Sequence, residues 1–255
     1  MSCPGDYGWR PLPRARAARY LDVCERRAPG GGVFVGYSFA GNICFEMALL
    51  LQERGAAGGR RYPFEMILVE PVPPYQRTRA PDETLLEHAA RFGDKCLCAE
   101  MFPALFGTGD VTLDLGGRVA RRELRTQDAL WAFLCGAVGL DGRFAGDFEK
   151  MTEFIFNLRL EPPRAALDRD VHYFLIEPDG WKHYDFYWGY TGDLAEPWKD
   201  FVAPGREFTV HRGVEGNHFQ AFDTDANMDV IKAVVQPLLD GLDRRPAADA
   251  AVENE

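Results

Sequence analysis

A short apolar run, Val33-Phe34-Val35, leads directly into Gly36-Tyr37-Ser38-Phe39-Ala40-Gly41, and Asn42 to Arg54 follows as a helix-forming stretch. A strand, a sharp turn carrying a serine and a helix, in that order, admit few architectures. The chain must reverse within a few residues, so small side chains must flank the serine at close range. Gly36 supplies the first. Ala40 stands where a second glycine is usual, and Gly41 comes one residue late. The turn would leave the Ser38 hydroxyl at a helix N-terminus, where the N–H of Phe39 can point at a developing oxyanion.

The rest of the chain fits a parallel sheet. Phe64–Val69 is a second buried strand, closed by Pro71, Pro73 and Pro74. Val171 to Glu177 and Glu207 to His211 read as a third and a fourth strand. Helices are expected at 13–27, with apolar positions Ala15, Ala18, Tyr20, Leu21 and Cys24, and at 42–54, with one apolar face formed by Ile43, Met47, Leu50 and Leu51. A third is expected at 228–242. Between about 82 and 164 the pattern becomes helical (Glu83–Arg91, Thr126–Ala137, Asp147–Leu158) and reads as an insertion. Residues 1–12 and 245–255 read as irregular tails around a domain over 13–244. An open parallel sheet with helices on both faces is the expected α/β architecture, and reactive groups in such sheets collect at the carboxyl ends of strands.

Composition narrows the chemistry. The chain has 255 residues and 39 acidic against 29 basic side chains, a formal charge of −10. That sign works against binding a nucleic-acid backbone. The six cysteines (Cys3, Cys24, Cys44, Cys96, Cys98, Cys135) lack metal-ligand spacing, so reduced thiols are expected and no metal. No apolar run approaches the ~20 residues of a membrane span, and residues 1–10 do not read as a signal peptide. A cytoplasmic, reducing location is expected.

A serine in such a turn needs a base. Of five histidines, His218 lies in Gly213-Val214-Glu215-Gly216-Asn217-His218-Phe219, after the last strand and before the last helix. A loop there can carry an imidazole over the sheet end towards Ser38. His88 lies on a helix of the insertion, His172 starts a strand, His183 falls in an aromatic loop and His211 lies within a strand; each reads as packed or solvated. Two carboxylates at strand ends could orient the imidazole, Glu70 and Asp179, and spacing alone does not separate them.

Val33 to Gly41, followed by Cys44-Phe45-Glu46-Met47-Ala48, resembles the elbow of the thioesterase domains that end fatty-acid, polyketide and nonribosomal-peptide synthesis. Met66-Ile67-Leu68-Val69-Glu70-Pro71 is similar to that family's next strand, and Val214 to Phe219 to its histidine loop. The resemblance spans roughly Arg14 to Leu242. It implies an α/β-hydrolase-like parallel sheet with a helical lid insertion at about 82–164, here without the family's N-terminal strands, so that the strand at 33–35 lacks a neighbour. It implies Ser38 as nucleophile, His218 as base, Glu70 in preference to Asp179 as acid, and Phe39 N–H as an oxyanion donor. The implied substrate is an acyl, polyketide or peptidyl thioester on the phosphopantetheine of a carrier domain, with no metal or diffusible cofactor. Leu85, Phe92, Met101, Phe102, Leu105, Phe106, Trp131 and Phe133 of the insertion would cover an acyl cleft. The alternatives are a carboxylesterase with the same triad, or a noncatalytic remnant that binds an acyl chain or a partner protein.

Overall fold

The computed structural model describes residues 12–59, 62–72, 74, 84–95, 113–139, 146, 150, 162–179 and 194–244. Helix α1 (Leu12–Arg27) precedes strand β1 (Gly32–Tyr37), helix α2 (Phe39–Ala56) and strand β2 (Phe64–Val69). In the insertion come α3 (Leu85–Phe92), α4 (Leu115–Ala120) and α5 (Gln127–Ala137). Strand β3 (Val171–Asp179), the short helix α6 (Glu196–Lys199), strand β4 (Phe208–Asn217) and helix α7 (Asp225–Asp243) follow among the described residues. The four strands form one sheet in the order β1-β2-β3-β4, every pair parallel.

Two apolar layers sandwich this sheet. On one face Ala17 and Leu21 of α1, most of α2, and Trp198 of α6 pack against Phe34, Met66, Leu68 and Tyr173. On the other, Ile231 of α7, with Val234 and Leu238, closes over Ile67, Val69, Phe174 and Ile176. A central parallel strand covered on both faces should be apolar throughout, and Phe64–Val69 is buried at every position but Glu65. Among the described residues β1 has one neighbour, β2, and its Val35 is 44% exposed.

Several expectations need revision. The buried face of α1 is Ala17 and Leu21, one helical turn apart, while Ala15 is exposed and Tyr20 is 53% exposed. Helix α2 has no single apolar face, because it is enclosed by α1, β1 and β2 and buries nine residues from Gly41 to Leu51; an enclosed helix is apolar all round. Strand β4 continues to Asn217 instead of ending at His211. A one-residue bulge opposite Phe174 and Ile176 bends it, and Gly213 (φ 97°) sits in that bulge, so a glycine that reads as a loop signal marks a kinked strand. Helix α4 was not expected, since Gly116 and Gly117 disguise it. The helix expected at Asp147–Leu158 lies outside the described residues.

Within the insertion, α3 starts with a reciprocal capping box between Thr84 and Glu87, which satisfies two N–H groups the helix cannot. His88 is buried there against the Phe92 ring (4.5 Å), a packed histidine as expected. Leu85 and Trp131 are buried, and the Arg118 guanidinium covers the Phe133 ring at 4.4 Å. Met101, Phe102, Leu105 and Phe106 lie outside the described residues. The chain leaving the insertion is anchored to α2 by Arg164, which donates to Glu46 (2.5 Å) and Glu53 (2.7 Å).

Candidate active site

Ser38 stands between the last residue of β1 and the first of α2, with φ 53° and ψ −133°. Positive φ is unfavourable for a residue with a Cβ, so the surrounding backbone must hold it. Ser38 N–H donates to the Val69 carbonyl (3.2 Å), and the Ser38 carbonyl accepts from Gly41 (3.0 Å) and Val72 (3.3 Å). These bonds tie the turn to the end of β2. The close approach explains the glycines. A Cβ on Gly36 would lie 2.5 Å from the Gly41 Cα, and one on Gly41 would lie 2.4 Å from the Pro71 Cβ. The crowded small position is therefore Gly41, not residue 40, whose methyl is exposed. The Ser38 side chain makes no capping bond to α2. Phe39 is the first residue of that helix, so its N–H belongs to the group that intrahelical bonding cannot satisfy.

One residue beyond β2, Glu70 also has positive φ (39°) and is fully buried. Its Oε2 lies 2.8 Å from Nδ1 of His218, which is 2% exposed. His218 follows β4, and β3 separates β4 from β2, a distance of roughly 10 Å at ordinary strand spacing. The chain after β4 therefore folds across the end of β3 to bring the imidazole to Glu70. Asp179 is the last residue of β3, in register with Asn217; its side chain lies outside the described residues.

A carboxylate can only accept, so Nδ1 carries the proton in this pair and Nε2 keeps its lone pair in the neutral ring. Burial pushes the His218 pKa well below its ordinary value, which favours that neutral form at neutral pH. The arrangement holds an unprotonated nitrogen ready to accept a proton. His172 and His211 instead bond to each other (2.9 Å) on β3 and β4, with Phe174 stacked on His211. His183 lies outside the described residues.

Two further residues support His218, Tyr37 from within the serine turn and Asn227 from outside any motif. Tyr37 bonds the His218 carbonyl and stacks on its ring. Asn227 of α7, 2% exposed, accepts from Glu215 N–H (2.9 Å) and donates to the carbonyls of Glu215 (2.8 Å) and Gln220 (3.2 Å). It thereby grips the histidine turn on both sides of His218. A hydrophilic residue at the buried start of the last helix was the one available hint.

No protein-family model matches the chain, and no curated protein does. Among solved structures it is similar to RedJ, in a structure with a polyethylene glycol molecule in the active site, at 16% identity over 89% of this chain and 73% of RedJ, TM-score 0.49. It is similar to human thioesterase 2 at 17% identity over 89% and 82% of the two chains, TM-score 0.46. The type II thioesterase BorB from the borrelidin biosynthetic cluster gives 17% identity, 88% and 70%, and TM-score 0.45. Human thioesterase 2 and BorB are thioesterases by name, as is RedJ in a second structure. Identities and TM-scores this low leave the chemistry to be argued from the residues themselves.

Proposed function

We propose that this chain is a serine acyl-thioesterase that releases an acyl, polyketide or peptidyl chain from a phosphopantetheine-bearing carrier. The observation that carries the reading is the buried His218–Glu70 pair (2.8 Å), held at the same end of the sheet as the strained Ser38 turn. In this reaction Ser38 Oγ attacks the thioester carbonyl while His218 Nε2 takes its proton. The tetrahedral oxyanion is met by the Phe39 N–H. Collapse breaks the C–S bond, and His218 returns the proton to the leaving thiol. Water, deprotonated by the same nitrogen, then cleaves the Ser38 ester. Glu70 fixes the tautomer and stabilises the imidazolium that forms at each step. These steps use three side chains, one backbone N–H and water.

Elbow chemistry by itself does not select sulfur over oxygen as the leaving atom, so the assay compares matched acyl thioesters and oxygen esters. Ser38→Ala is expected to lower kcat on thioesters by on the order of 10⁴-fold or more. Unchanged turnover in that variant would end the reading, and preference for the oxygen ester would make the protein a carboxylesterase. Carrier binding without labelling of Ser38 by a fluorophosphonate would make it a noncatalytic binder. No described helix is long and apolar enough to cross a membrane. A carrier-borne substrate would be met in the cytoplasm, and that location is part of the proposal.

A further inference from the structure

Tyr37, the residue before the strained serine, touches the histidine at two different points. Its hydroxyl donates to the His218 carbonyl at 2.5 Å, across 181 residues of chain. Its ring lies against the imidazole with centroids 4.7 Å apart and planes 21° from parallel. Phe222, just past the histidine turn, packs edge-on against the Tyr37 ring at 5.2 Å. Tyr37 itself is in register with Val69, the neighbour of Glu70. Burial, and then the charges of Glu70 and Asp223, push the Tyr37 pKa up, so the hydroxyl keeps its proton and remains a donor.

The Glu70 bond fixes the imidazole at Nδ1, and the Phe219 ring lies edge-on to it at 5.2 Å. The Tyr37 hydroxyl holds the backbone from which the ring hangs, and the Tyr37 ring limits its tilt. We propose that Tyr37 is a positioning residue, a strut between elbow and histidine turn that sets the His218 imidazole at its working distance from Ser38. This rests on the reading of Ser38 and His218 as nucleophile and base. A general base acts over ~2.6–3.2 Å, and a displacement of about 1 Å can cost on the order of 10²-fold in rate. Such a strut therefore bears on rate more than on substrate binding.

Tyr37→Phe deletes the hydroxyl and keeps the ring, whereas Tyr37→Leu deletes both. The measurements are the rate of Ser38 labelling by a fluorophosphonate probe, and kcat and KM on an acyl thioester, each per folded molecule. Tyr37→Phe is expected to slow labelling and kcat together by roughly 10- to 100-fold, with KM within about twofold of wild type. Tyr37→Leu is expected to lose more. It should also move the acid limb of kcat/KM upward, towards the ordinary histidine value, because water then reaches the imidazole. A purely structural tyrosine would lower the folded fraction and leave these per-molecule rates unchanged. Labelling and turnover of Tyr37→Phe at the wild-type rate, in a wild-type protein that does label, would overturn this inference alone. Wild-type protein that does not label at Ser38 would remove the thioesterase reading and the inference together.

Discussion

Ser38 and Glu70 share an unusual backbone state: both are non-glycine residues at positive φ, 53° and 39°. Each such conformation costs about 1–3 kcal/mol and persists only where the surroundings enforce it. Here each turn is tied to a neighbouring strand, Ser38 N–H to the Val69 carbonyl of β2 and Glu70 N–H to the Phe174 carbonyl of β3 (3.0 Å). Glu70 is thus aimed by its backbone as well as by its pairing with His218. Glu70→Gln preserves shape but presents an amide that can either accept from or donate to Nδ1. It should therefore populate the wrong imidazole tautomer and lower kcat by on the order of 10³- to 10⁴-fold, measured at saturating thioester. Because burial depresses the His218 pKa, the base stays unprotonated as pH falls through the ordinary histidine range. The kcat/KM profile should stay flat through about pH 6.5 and decline only below it. A limb at or above that value would show an imidazole more hydrated than its 2% exposure implies.

At the scale of elements, the elbow is a contact between the end of β1, the start of α2 and the Pro71 segment. Gly41 fills its tightest point. Gly41→Ala would place a methyl carbon 2.4 Å from the Pro71 Cβ and 3.3 Å from the Gly36 carbonyl oxygen. It should destabilise by about 1–3 kcal/mol, seen as a lower thermal midpoint, and slow Ser38 labelling as the turn shifts. Ala40→Gly, at an exposed helix position one residue earlier, should cost less than about 1 kcal/mol. A pair of variants with reversed effects would contradict the geometry. The same scale shows what could be read in advance. Strands β1, β2 and β3 announce themselves as apolar runs, and the serine turn was visible because strand and helix flank it. The distal half of β4 was not, since Gly213 and Gly216 (φ 97° and 114°) look like loop residues when they serve a bulge and a close packing against Gln220. Tyr37 and Asn227 were invisible as supports of His218. Their roles arise from contacts that join distant parts of the fold, and no local spacing records those.

Over the whole molecule, histidine burial sets the response to acid. Desolvation lowers the pKa of both His218 and His211 in the folded state. Below about pH 6.5 the unfolded chain binds protons at these positions that the native chain refuses, so stability falls as pH falls; above that value the contribution is constant. For a fully buried imidazole the slope approaches about 1.4 kcal/mol per pH unit. Denaturant midpoints measured from pH 8 down to 5 should drop before the carboxylates titrate. His218→Gln should flatten that decline, and an unchanged slope would place the acid sensitivity elsewhere.

The sheet also imposes an order on the life of each molecule. Ser38 is synthesised before the imidazole of His218 that would activate it, and before the α7 residue Asn227 that grips the histidine turn. A chain emerging from the ribosome therefore carries its serine before its base is made. The His218–Glu70 pair can form only once β4 lies on β3 and its turn crosses to Glu70. Until then Ser38 stands without the base proposed for it.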